Sequence, residues 1–181
     1  MDAIRREEPY TIDDIYALPD GERAELIDGK IYFMSTPSRT HQQISLFLSR
    51  RIADHIDSNS GKCEIYPAPF AVFLTGDNTT YVEPDISVIC DPTKLDEKGC
   101  HGAPDWVIEI VSPSSRSMDY IIKINKYHYA GVKEYWIIDP NEKLISVYNF
   151  EGEMTIIHYR FGEEVPVGIY NGFSIKFPEN P

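Results

Sequence analysis

At 181 residues and 20.7 kDa the chain suits one domain spanning residues 1–181, and its 42% apolar content and mean hydropathy of −0.33 exclude a disordered or fibrous polymer. No apolar run approaches the roughly 18 residues of a membrane span, and the polar first eight residues lack a secretory apolar stretch, so no membrane partner is expected, and the cysteine usage fits a reducing, cytoplasmic setting. The formal net charge of −12 repels nucleic acid at long range, so any such contact must rest on local patches.

In chain order, Thr11 caps a short helix with apolar positions at 12, 15, 16 and 18, which Pro19-Asp20-Gly21 breaks. Residues 25–34 read as a hairpin turning at Asp28-Gly29. Residues 40–56 carry Ile44, Leu46, Phe47, Leu48, Ile52 and Ile56 at helical spacing. Residues 36–53 hold Arg39, Arg50 and Arg51 and no acid. Strands are expected at 64–74, 85–90 and 106–111. The last two are short and almost continuously apolar, as in central strands covered on both faces. Residues 112–115 form a loop and cap before a helix over 117–130, with Gly131 at its C-terminal cap. Arg116, Lys123, Lys126 and Lys133 stand against Asp119 alone between residues 112 and 133. Residues 134–139 make another strand, and a β meander follows over 144–177. The order predicts an α/β fold, a mixed central sheet flanked by helices with extra β-hairpins.

Cys63, Cys90 and Cys100 are odd in number, widely spaced and free of any CxxC pair, so neither a zinc ribbon nor a disulfide framework is expected. Cys100-His101 supplies two ligand types, too few for a metal site. The informative residues are carboxylates. Glu109 sits within Trp106-Val-Ile-Glu-Ile-Val, where an ionised carboxylate costs several kcal/mol unless paired or metal-bound. Asp85 opens a second apolar strand directly after Pro84. Two such acids on neighbouring strands supply hard oxygen ligands for Mg²⁺ or Mn²⁺, an ion that activates water and stabilises charge on a phosphodiester. The structural alternatives are a buried salt bridge from Glu109 to Lys123 or Arg116, and an Asx-type cap at Asp85.

Four segments carry a resemblance: Glu25-Leu-Ile-Asp-Gly-Lys, Glu83-Pro-Asp-Ile-Ser-Val-Ile, Asp105-Trp-Val-Ile-Glu-Ile-Val-Ser-Pro-Ser-Ser and Gly131-Val-Lys-Glu-Tyr-Trp-Ile-Ile-Asp-Pro. In order and spacing, from about residue 10 to residue 150, they resemble the Uma2 family (DUF820), grouped with the PD-(D/E)XK nucleases. The resemblance implies a restriction-endonuclease-like core, metal binding by Asp85, Glu109 and the carbonyl of Ile110, and endonuclease activity on DNA. The usual superfamily lysine, two residues after the second acid, is Val111 here. The family pattern resembles a variant in which the lysine moves to the next helix, four residues after Asp119 and four before Tyr127, which is Lys123. A helix starting near Ser117 puts Lys123 about 9 Å along its axis, within reach of the strand end. Lys126 is the alternative one turn on.

Glu25 matches an early glutamate that faces the site in this superfamily, against the alternative of an exposed strand acid. His41, with Arg39 beside it, is a candidate phosphate contact or proton-transfer group. Trp106, Tyr135 and Trp136 read as core rather than as base-stacking platforms. A homodimer is expected because double-strand cleavage uses two sites. Two alternatives remain: a nuclease fold kept as a binding or assembly module, and action on another phosphate ester. No Gly-rich phosphate loop supports nucleotide triphosphate use.

Overall fold

The computed structural model describes residues 8–113 and 115–181. The polar leader through residue 7 and the Ser114 part of the cap before the second long helix lie outside the described residues. A short helix, α1 (Ile12–Tyr16), leads into a hairpin of β1 (Ala24–Ile27) and β2 (Lys30–Phe33). Asp28 and Gly29 take φ of 51° and 71°, the primed turn that matches strand twist. The long helix α2 (Arg39–Ser58) starts on Ser38, whose hydroxyl accepts from the His41 amide. It buries Ile44, Leu48, Ile52 and Ile56 along one stripe.

The expected strand over 64–74 is two strands in two sheets. β3 (Glu64–Pro67) ends before a cis Ala68–Pro69 bond, and β4 (Val72–Phe73) lies elsewhere. Prolines at 67 and 69 remove ladder N–H donors, so one continuous strand cannot form. β5 (Ile86–Ile89), β8 (Trp106–Ile110), β9 (Glu134–Asp139), β10 (Leu144–Asn149) and β11 (Thr155–Arg160) join β3 in a six-stranded sheet ordered β11-β10-β9-β8-β5-β3. Only β8 and β9 run parallel, joined across a helical connection, so the sheet is mixed. The short β6 (Leu95–Asp96) and β7 (Gly99–His101) pair with β4 in a small sheet that sequence periodicity did not reveal, because strands of two or three residues carry none. The C-terminal segments depart from the expected meander: β12 (Glu164–Pro166) and β13 (Ser174–Lys176) pair with each other, apart from the large sheet.

One face of the large sheet packs on α2 and on Val165, Ile175 and Phe177. The other packs under β1, β4 and the helix after β8. Trp106, Tyr135 and Trp136 are fully buried, as expected of core.

A second correction concerns the cysteines. Cys63 and Cys90 form a disulfide, and Cys100 is free and buried. The register Glu64↔Ile89 brings the residues flanking β3 and β5 side by side. Pairing is therefore set by strand register, which cysteine spacing does not encode.

Candidate active site

Strand alternation selects which side chains meet. In β8, Trp106, Ile108 and Ile110 face α2, so Val107, Glu109 and Val111 face the opposite side. Ile86 pairs with Ile108, and in β5 Ile86 and Val88 also face α2. Asp85, one residue before Ile86, therefore stands on the same face as Glu109. The hydrogen bonds agree. The Ile110 amide donates to Asp85 Oδ2 at 2.7 Å, and the Asp85 amide approaches Glu109 Oε2 at 3.4 Å. His41 Nε2 lies 3.1 Å from the same Asp85 oxygen, which places the start of α2 against the site.

The third side comes from the chain after β8. A π-helical turn (Met118–Lys123) precedes α3 (Ile124–Ala130) and buries Asp119 and Lys123, with Tyr127 buried in α3. In a regular helix residues four apart drift by roughly 40° around the axis. That offset still leaves Asp119 and Lys123 neighbours on one face. Lys123 Nζ lies 2.8 Å from Glu109 Oε1, 2.9 Å from Glu25 and 3.7 Å from Asp119. The Tyr127 hydroxyl donates to Glu109 Oε1 at 2.7 Å, and the Glu83 amide donates to Glu25 Oε1 at 3.0 Å. Glu109 thus makes the salt bridge to Lys123 that its sequence context allowed. Arg116 pairs instead with Asp139.

Glu25, Glu109, Asp119 and Lys123 are each no more than 5% exposed. Burial pushes the Glu109 carboxyl well above its usual range against the pull of Lys123, and it lifts Asp119 to about 6. Desolvation alone would lower the Lys123 ammonium, but Glu109, Glu25 and Asp119 together hold it well above the ordinary lysine value. Three buried carboxylates share one ammonium, with Asp85 beside them. That excess of negative charge fits a cation.

The oxygens able to hold one are those of Asp85 and Glu109, with the Ile110 carbonyl, which leaves its strand on the same side as the amide bonded to Asp85. Among the described residues no three His, Cys, Asp or Glu side chains form a finished ligand cage. Mg²⁺ does not require one, since it takes one or two carboxylates and keeps several waters.

These groups lie on the floor of a cleft of about 630 Å³ that Arg23, Glu25, His41, Asp85, Glu109 and Lys123 all line. Val111, at the usual lysine position, packs in the core. Of the other sequence candidates, Arg39 is exposed outside the cleft, and Lys126 is bound to Asp28 away from it. His101 bonds Asp96 at 2.9 Å and stacks on Phe73, and the Cys100 thiol is pushed by burial to about 11; the two form no metal site. Arg23 escaped the sequence reading. Its signal was alternation, since it lies two residues before Glu25 on the same strand face.

The Uma2 family model, described as "Putative restriction endonuclease", matches residues 12–177. An uncharacterized protein of Synechocystis sp. is 30% identical over 147 residues, covering 80% of this chain and 76% of that protein. A crystal structure described as a "putative nuclease belonging to DUF820", from Anabaena variabilis, superposes with a TM-score of 0.71 at 27% identity. The match covers 89% of this chain and 90% of that one. The mixed sheet flanked by helices is therefore a nuclease-family fold.

Proposed function

Because this chain belongs to the Uma2 family, we propose that it is a metal-dependent phosphodiesterase, an endonuclease acting on DNA with Mg²⁺ or Mn²⁺. The observation that carries this reading is the convergence of Asp85, Glu109 and Lys123 from two strands and the following helix on one cleft floor. A divalent ion held by Asp85, Glu109 and the Ile110 carbonyl supplies Lewis acidity and a lowered pKa for water.

The protein's own groups have separable tasks. Lys123, kept protonated by its carboxylates, is placed to neutralise charge developing on the phosphate or to hold the attacking water at Nζ. Glu25 fixes that ammonium from the other side. Tyr127 orients Glu109 through its hydroxyl, and His41 orients Asp85. A homodimer with two sites belongs to the same reading; the Cys63–Cys90 disulfide stands against the reducing, cytoplasmic setting expected from the cysteine usage.

Incubation with supercoiled plasmid under Mg²⁺, Mn²⁺ or EDTA tests it. Nicking or linearisation should require the ion and fall at least about 100-fold in Asp85→Asn and Lys123→Ala, as removal of one charge-stabilising group does. Equal cutting by parent and Asp85→Asn would sink the mechanism. One observation favours a second reading, a nuclease fold kept for binding: the Lys123 ammonium is fully committed to ion pairs with Glu25 and Glu109. Calorimetry separates the two, because only a competent site gives a Mn²⁺ signal that Asp85→Asn abolishes.

A further inference from the structure

We propose that Arg23 is a phosphate-binding positioning residue, holding the nucleic-acid backbone at the mouth of the cleft above the acidic floor. This rests on the nuclease reading. The Met34 amide donates to the Arg23 carbonyl at 2.8 Å, which extends the β1–β2 hairpin by one pair toward the cleft. Arg23 and Glu25 share a strand face, so their backbones stand one β-step, about 7 Å, apart along the strand.

Its orientation is fixed. Nε donates to Glu83 Oε2 at 3.0 Å and Nη2 donates to the same oxygen, while the Tyr81 hydroxyl holds the other Glu83 oxygen at 2.7 Å. Nη1 has no hydrogen bond among the described residues, and the side chain is 39% exposed.

The other cation of the cleft differs in each respect. Lys123 is 6% exposed at its side chain and committed to Glu25, Glu109 and Asp119. His41 is engaged with Asp85. Among the described residues lining this cleft, an entering phosphodiester therefore finds one permanently charged side chain with a free donor, and it is Arg23. A guanidinium suits the task, being planar, weakly hydrated and always charged. With one edge on Glu83 it presents the other to the substrate, in a protein whose net charge of −12 offers no broad attraction.

The test is fluorescence anisotropy with a short labelled oligonucleotide, single-stranded and duplex, across NaCl concentrations with Ca²⁺ as the cation. Arg23→Ala should bind about tenfold more weakly, and the slope of log affinity against log salt should shrink by about 0.7–0.9, one phosphate contact. Arg23→Lys should recover most of that slope. Glu83→Gln, which keeps the guanidinium and weakens its ion pair, should retain it. Mn²⁺ affinity by calorimetry should match wild type in Arg23→Ala.

An unchanged slope and affinity in Arg23→Ala overturns the proposal while leaving the nuclease reading intact. So does a Glu83→Gln variant that loses as much as Arg23→Ala, since the effect is then structural. If Arg23→Ala does not fold, Arg23→Gln against Arg23→Lys carries the same comparison, and equal slopes overturn it. Wild-type protein that binds neither oligonucleotide overturns this proposal and the nuclease reading together.

Discussion

Lys123 is the residue on which the site's electrostatics turn. Three carboxylates surround its one buried ammonium, so the side chain cannot be removed without a cost to the fold. Removing one partner of a buried charge cluster leaves the others unpaired, which costs about 3–5 kcal/mol. Lys123→Ala should therefore lose stability as well as activity. The pH dependence has a definite sign. Asp119 has its folded pKa raised to about 6 from an ordinary 3.8, so its contribution to stability is present below 3.8 and lost as pH rises through about 6. Lys123 is what holds the Glu109 and Asp119 carboxyls down, so without it both move further up. The deficit of Lys123→Ala relative to wild type should then shrink between pH 8 and pH 5. Thermal melts of both proteins across that range check it, and a deficit that widens on acidification contradicts the charge assignment.

At the scale of elements, glycines separate steric from torsional demands. Gly131, at φ +96° after α3, has open space where a Cβ would go. Gly131→Ala should cost only the left-handed backbone penalty of about 1–2 kcal/mol. Gly99, at φ +143° in β7, would place a Cβ 2.2 Å from the Ala71 carbonyl oxygen, which accepts the Cys100 amide. Gly99→Ala should lower the urea midpoint clearly more than Gly131→Ala. The same contrast explains what the sequence could show. Asp85 and Glu109 were legible because a lone carboxylate in or at the head of a continuous apolar run is costly to bury without a partner. The Asp28-Gly29 hairpin and α2 were legible from turn chemistry and helical spacing. Lys123 needed the family pattern, and its burial by a π-helical turn left no periodic trace. Glu25 meets Lys123 across 98 positions and His41 meets Asp85 across 44, so only the assembled fold brings them together. The Cys63–Cys90 bond and the β4-β7-β6 sheet depend in the same way on register and on pairings too short to pattern.

For the whole molecule, the net charge of −12 and the acidic cleft floor act in the same direction. Both raise the cost of folding and both repel a phosphodiester, and the divalent cation proposed at Asp85 and Glu109 would relieve both at once. An ion that binds only the folded state at 100 times its Kd adds about 2.7 kcal/mol of stability. In a domain of this size that is a rise of roughly 5–10 °C in Tm. Simple screening would also stabilise so acidic a protein, so the comparison must separate a site from an atmosphere. Sodium chloride at matched ionic strength screens exposed charge within a Debye length of about 8–10 Å but cannot fill a coordination site. Mn²⁺ should therefore raise the Tm of wild type well beyond the sodium control. In Asp85→Asn, where the proposed ligand loses its charge and the Lys123 cluster stays intact, Mn²⁺ and sodium should act alike. A Mn²⁺ shift that survives in Asp85→Asn would place the stabilising ion elsewhere on the acidic surface.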